Sequence, residues 1–281
     1  MTKCFIDGGN MNIIGIDLGS SIIKIIETDE KGELLNKLIA DKKDINEVIN
    51  IFTEKFNIDI NNISKFILTG VGASEIHENI LNIPTIHIDE FIAIGKGGTY
   101  LSKKEEVLVV SVGTGTAFVK CINEEYQHIG GTGVGGGTLF NLSKKIANIN
   151  SFEDIIKASI SGKLSNVDLT IQDVTKKDIK TLPKDITSSN FGKLNDIATN
   201  DDIVLGIINM VFEVIGMMAA FAIRNEKFNE VVVIGTITAI PTVRAILDKI
   251  EKIQNIKFIV PENAEYATAI GAVRKVINSE N

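Results

Sequence analysis

The chain has 281 residues, 44% of them hydrophobic and 23% charged, which suits a soluble globular protein of about two domains and excludes a disordered or fibrous one. Its 29 Lys and Arg against 36 Asp and Glu leave a net charge of −7, with no basic run long enough to track a phosphate backbone, so nucleic acid is not an expected partner. Only Cys4 and Cys121 occur, at no metal-ligand spacing, and the N-terminus lacks the basic-then-apolar order of a signal peptide, so the reducing cytoplasm is the expected compartment.

Residues 1–10 read as an extension, because Met11 directly precedes the first strand. From Ile13 to Glu27 an apolar strand is broken by Asp17-Leu-Gly-Ser-Ser21 and resumes, which predicts a hairpin. The composition of the turn also suits a metal-nucleotide. Gly19 lets backbone N–H groups approach phosphate oxygens, Ser20 and Ser21 add hydroxyl donors, and Asp17 can hold Mg²⁺ or its waters. A third strand is expected over Glu33–Ala40. A helix follows, capped by Asp44, with Ile45, Val48, Ile49, Phe52 and Phe56 on one face. Lys65–Thr69 is a buried strand that exits through Gly70-Val-Gly72-Ala-Ser74, the kind of Gly-rich strand end where α/β sheets place ligands.

Thr85–Phe91 is a short strand that delivers Asp89 and Glu90 to the start of a helix. Asp89 reads as an ordinary cap. Glu90 is the candidate general base, since phosphorylating a hydroxyl calls for a carboxylate within reach of its proton. The hairpin design then recurs over Glu106–Cys121 around Gly113-Thr-Gly-Thr116. One such hairpin could be an ordinary turn; two invite a single ligand. Neither fits the P-loop pattern. The next stretch, Gly130 to Gly137, has six glycines in eight positions, too many for a packed element, and leads into a helix ending near Ala147. A close approach of backbone to ligand is expected there, with the following helix N-terminus aimed at phosphates.

Ser151–Lys193 is polar and its periodicity is uninformative. Ile203–Ile223 is long enough to span a bilayer, but Asn209, Glu213 and two glycines interrupt it, so a buried core helix or a dimer contact is expected and no membrane partner. Glu230–Ile234 is a buried strand ending in Gly235-Thr236, followed by a helix after Pro241, a strand over Lys257–Val260 and a closing helix from about Ala264 that packs closely through Gly271.

Two halves, each with a phosphate-cradling hairpin, resemble the acetate and sugar kinase, heat-shock ATPase and actin superfamily. A narrower resemblance, to the type II pantothenate kinases, is carried by several motifs in the family's order. These are G-I-D-L-G-S-S-x-x-K at Gly15–Lys24, T-G-V-G-A at Thr69–Ala73, D-E-F at Asp89–Phe91 and V-G-T-G-T at Val112–Thr116. They continue with G-G-T-G-V-G-G-G-T at Gly130–Thr138, V-D-L at Val167–Leu169 and T-S-S-N-F-G at Thr187–Gly192. The resemblance implies an α/β, two-domain actin-like (ribonuclease H-like) ATPase fold with duplicated βββαβα halves and an interdomain nucleotide cleft. The expected domains are 11–103 with 264–281, and 104–263.

The implied activity is ATP-dependent, Mg²⁺-assisted phosphorylation of pantothenate, the first step towards coenzyme A, by a homodimer inhibited by coenzyme A or acyl-CoA. Glu90 is implied as the base and Asp17 as the metal-side acid. Gly19, Ser20, Ser21, Lys24, Thr114, Gly115, Gly136, Gly137, Thr138 and Thr236 are implied on ATP, and His128, Thr116 and Gly131 on the acceptor. At His128 the family has an Arg, and exchanging a permanent planar cation for imidazole bears on which acceptor is used. Two alternatives stand beside this reading. One is a non-catalytic relative that binds nucleotide or acyl-CoA, or a kinase of another small hydroxyl substrate. The other is an ATPase activator of a metalloenzyme, which would need cluster-binding cysteines.

Overall fold

The computed structural model describes residues 11–175 and 183–280, so the expected extension at residues 1–10 lies outside the described residues. Strands β1 (Asn12–Leu18), β2 (Ile22–Thr28) and β3 (Leu34–Asp41) form an antiparallel meander. After helix α1 (Ile45–Phe56), β4 (Ile63–Thr69) returns parallel to β1 and β5 (Thr85–His87) parallel to β4, giving the order β3-β2-β1-β4-β5. Helix α2 (Glu90–Ser102) and the C-terminal helix α8 (Ala267–Glu280) complete this sheet.

β1 reads as a near-continuous apolar run because both its faces are covered. Ile14, Ile16 and Leu18 join Val48, Ile49 and Phe52 of α1 in one core, whereas Ile13 of β1 and Ile26 of β2 join Ala93 of α2 and Ala269 and Val273 of α8 in another. Since side chains alternate along a strand, Asp17 lies on the second of these faces. Gly15, two residues earlier, touches Val273 there.

Helices α2 and α8 cross with backbones nearly in contact. A Cβ on Gly271 would collide with the Ala93 carbonyl and lie 2.8 Å from Gly97 Cα, and one on Gly97 would collide with the Ala267 carbonyl. The close packing expected for Gly271 is therefore against α2 as well as the sheet. Gly271→Ala gains about 1 kcal/mol of helix propensity, yet backbone cannot yield as a flexible side chain can, so a net loss of about 1–3 kcal/mol is expected. Chemical denaturation checks this; a variant as stable as the parent would contradict the crossing.

The second half repeats the plan. Strands β6 (Val107–Val112), β7 (Thr116–Ile122) and β8 (Glu125–Thr132) are joined by turns too short for a parallel crossover. Then come α3 (Gly136–Ala147) and α4 (Phe152–Ser161), followed by the small elements β9 (Leu169–Thr170), α5 (Ile171–Val174) and β10 (Thr187–Ser189). Next are α6 (Asn200–Ala222), β11 (Glu230–Ile234), α7 (Val243–Gln254) and β12 (Lys257–Ile259). The order β12-β11-β6-β7-β8 has the same connectivity as the first sheet. Helix α6 is long and apolar enough to cross a membrane, but it packs in this half's core, with Val204, Ile207, Ile208, Val211, Phe212 and Ile215 fully buried.

Within the described residues, one compact unit runs to Glu105 and takes in Val119–His128 and the chain from Glu262; the other comprises Glu106–Phe118 and Ile129–Pro261. The expected division places 119–128 in the second domain; here they group with the first unit because Tyr126 and His128 pack on α2 and Glu124 pairs with Lys96 of α2.

Candidate active site

In the first unit Asp17 and Lys24 face each other directly across β1 and β2 and form an ion pair of 3.0 Å, with side chains only 7% and 10% exposed. Two charges this buried are tolerable only as partners, since removing either would leave the other uncompensated. The exit of β4 closes over the pair. Gly70 has φ +90, and a Cβ there would lie 2.7 Å from Asp17 Oδ1 and from the Leu18 carbonyl, so only glycine serves. Gly19 is explained differently from the expectation. A Cβ there would lie 2.7 Å from the Ile22 carbonyl, so closure of the turn itself already demands glycine. Ser20 and Ser21 are exposed at its tip.

Asp89 caps α2 as expected, accepting hydrogen bonds from the N–H groups of Phe91 at 2.9 Å and Ile92 at 3.1 Å. Glu90, the first residue of the helix, is half-buried. Burial pushes its carboxyl above the ordinary range, the Asp17 charge adds to this, Lys24 opposes it, and Asp89 raises it further. Glu90 therefore sits within electrostatic reach of the Asp17–Lys24 pair and is a stronger base than a free glutamate.

In the second unit the turn after β6 is braced by the glycine-rich segment. The Thr116 hydroxyl donates to the Val134 carbonyl at 2.8 Å, and the N–H groups of Gly136 and Gly137 donate to the carbonyls of Gly113 at 2.8 Å and Thr114 at 2.9 Å. A Cβ on Gly131 would lie 2.7 Å from the Thr116 carbonyl, and one on Gly135 2.8 Å from the Thr114 carbonyl. The Thr138 hydroxyl closes the bend, accepting from Gly135 N–H at 3.3 Å and donating to the Gly133 carbonyl at 3.1 Å.

Two expectations are corrected by these contacts. The glycine run is not one loop, since β8 continues through Thr132 and α3 begins at Gly136. Nor are the first amides of α3 aimed at a ligand, because those of Gly136 and Gly137 are taken by turn carbonyls. Much of the glycine density serves backbone-to-backbone packing.

Some of the segment does border open space. Among the described residues, a Cβ on Gly113 would meet only the Gly115 carbonyl, at 3.7 Å, and one on Gly130 or Gly133 would meet nothing within 4 Å. Thr114 is exposed on the same turn, whereas a Cβ on Gly115 would press on the Thr132 carbonyl at 2.9 Å. At the end of β11, Gly235 has φ +116 and lies against the Val112 carbonyl; the Thr236 hydroxyl beside it is buried and has no hydrogen-bond partner among the described residues. A buried hydroxyl so placed has the capacity to meet a ligand.

The three acceptor candidates do not share one setting. Thr116 and Gly131 lie together in the second unit, with the Thr116 hydroxyl already engaged. His128 belongs to the first unit, where its exposed ring stacks on Phe91 with centroids 4.0 Å apart and planes 11° from parallel.

One polar network escaped sequence reasoning. Asp168, 1% exposed, accepts from Phe191 N–H and from the Asn209 amide, both at 2.8 Å; Glu213 accepts from the Thr187 hydroxyl at 2.6 Å and the Asn190 amide at 2.8 Å. It holds Phe191 at φ +59, a left-handed conformation that a bulky residue seldom adopts unaided. Burial raises the Asp168 carboxyl above its ordinary range, while the Phe191 and Asn209 hydrogen bonds oppose the rise. The V-D-L and T-S-S-N-F-G stretches are thus two parts of one structural lock on α6. The available signal was Asn209 and Glu213, polar residues four apart in an otherwise apolar helix.

A family model described as Fumble matches residues 19–273. The chain is 28% identical over 279 residues to the type II pantothenate kinase of Bacillus thuringiensis subsp. konkukian (strain 97-27), covering 95% of this chain and 99% of that one. Among solved structures it resembles the activator of the 2-hydroxyisocaproyl-CoA dehydratase from Clostridium difficile with bound ADPNP, with a TM-score of 0.70, 17% identity and coverage of 96% and 95%. It also resembles a ROK family glucokinase from Streptomyces griseus in complex with glucose and AMPPNP, with a TM-score of 0.59, 12% identity and coverage of 95% and 99%. At such identities these structures share the fold alone, the two-sheet α/β architecture of actin-like ATPases. With nearly the whole chain inside the family model, the protein belongs to the Fumble family.

Proposed function

We propose that the protein transfers the γ-phosphoryl group of ATP to the primary hydroxyl of pantothenate. The observation that carries this is Glu90, a carboxyl of raised basicity at the start of α2, beside the buried Asp17–Lys24 pair. Names of relatives at 28% identity over almost their full length support the acceptor, and fold neighbours holding ATP analogues support the donor.

In this reading Glu90 takes the hydroxyl proton as the oxygen attacks, and Lys24 offsets charge on the phosphoryl oxygens. The family resemblance assigns Gly19, Ser20 and Ser21 of the first unit, and Thr114, Gly115 and Thr236 of the second, to ATP. Gly136, Gly137 and Thr138 act by shaping the turn at Gly113 rather than by donating amides, and Thr116 and Gly131 likewise hold backbone for the acceptor side. Asp17 fits Mg²⁺: one buried carboxylate is the donor set of an ion that keeps most of its waters and takes phosphate oxygens. When bound, Mg²⁺ neutralises charge between the phosphates. The family resemblance adds a homodimer with coenzyme A or acyl-CoA as its inhibitor, and the sparse cysteines suit a reducing cytoplasm.

The test is a coupled ADP-release assay with pantothenate, N-alkyl pantothenamides and common sugars as acceptors. His128→Arg is expected to lower the KM for pantothenate or raise kcat, because a permanent charge returns and a guanidinium stacks on Phe91 as well as imidazole does. If that variant loses activity while another acceptor turns over well in the parent, the acceptor is not pantothenate.

A further inference from the structure

Helix α2 and strand β8 meet along a seam within the first unit. His128 and Tyr126, two residues apart on β8, face Phe91 and Gly95, about one turn apart on α2. Tyr126 lies so close to Gly95 that a Cβ there would collide with its ring. Next to them, buried Lys96 pairs with Glu124 at the β7–β8 turn. The seam fixes register, and with it the place of His128 relative to the start of α2. An exposed strand histidine would otherwise sample several rotamers at little cost. Here the ring lies flat on Phe91, whose backbone follows Glu90 directly.

In such a stack both imidazole nitrogens lie on the ring perimeter and point along its plane, so Phe91 uses none of their hydrogen-bonding capacity. We propose that Phe91 is a positioning residue for acceptor binding, holding His128 flat so that a ring nitrogen meets the polar part of the acceptor beside Glu90. This rests on the kinase reading above.

Two readouts separate this role from mere support. In Phe91→Leu, which keeps apolar bulk but loses the ring, the acceptor KM should rise about 3- to 10-fold, the effect of losing one aromatic pair. The KM for ATP and the melting temperature should stay near the parent's, and Phe91→Tyr should restore the acceptor KM. The chain has three histidines, so the His128 imidazole signals can be assigned by their loss in His128→Gln. Those signals should be shifted upfield by the Phe91 ring in the parent and return to an unstacked position in Phe91→Leu. Equal rises in both KM values with a lower melting temperature would overturn the proposal, as would an unchanged acceptor KM with the stack lost. If the parent phosphorylates no acceptor, the kinase reading has failed and binding decides. Pantothenate must then shift the His128 signals in the parent and bind more weakly to Phe91→Leu, and signals that do not move overturn the proposal.

Discussion

Glu90→Gln is expected to reduce kcat by roughly 100-fold or more while ATP affinity and melting temperature stay close to the parent's. The amide keeps the size of the carboxyl and can still hydrogen-bond, but it cannot accept the acceptor's proton. A residue that only capped α2 would behave in the opposite way, losing about 1 kcal/mol of stability with turnover intact. Asp89 already does the capping through its bonds to Phe91 and Ile92, which makes Asp89→Asn the control expected to act on stability. The pH dependence carries a sign as well. Burial and Asp17 hold the Glu90 carboxyl above the ordinary glutamate range, and the base works only when ionised. In the parent kcat should therefore climb with pH through a value above that of a free glutamate, and in Glu90→Gln this limb should disappear. Normal turnover by Glu90→Gln with the best acceptor would remove Glu90 from the mechanism.

Gly113→Val is expected to weaken ATP binding by about 10-fold or more, roughly 1.4 kcal/mol, with an unchanged circular dichroism spectrum. The fold can accept the side chain, since a Cβ there meets only the Gly115 carbonyl at an ordinary 3.7 Å, so the added bulk goes into open space beside the turn. Gly136→Val is the contrasting variant. Its Cβ would lie 2.8 Å from the Gly113 carbonyl, so it should damage folding of the turn before any question of ligand arises. ATP affinity unchanged in Gly113→Val would exclude this turn from the nucleotide site.

Much of the fold was legible because its signals are local. An apolar run, a small turn and a second apolar run make each hairpin visible, and the buried face of α1 follows from helical spacing. Asp89 was legible as the cap of α2 from its place at a strand-to-helix junction. What was not legible depends on partners distant in the chain. The glycines from 130 to 137 announce a close approach but not what approaches, and the neighbour proved to be the 113–116 backbone. The grouping of Val119–His128 with the first unit rests on Gly95, Lys96 and Phe91, whose facing residues no periodicity could name. The Asp168 lock joins residues 41 apart, and its helix partners Asn209 and Glu213 look from sequence alone like interruptions in an apolar run. Gly19 shows the reverse case, a glycine whose ligand role and turn role predict the same residue.

The central claim is phosphoryl transfer to pantothenate with Glu90 as base, and ³¹P NMR of the chain with ATP, Mg²⁺ and pantothenate tests it most directly. A phosphomonoester signal should grow as the γ-phosphate resonance of ATP falls, only when pantothenate is present, and should be nearly absent with Glu90→Gln. Release of inorganic phosphate alone, or a phosphomonoester that forms on a sugar but not on pantothenate, would contradict the claim.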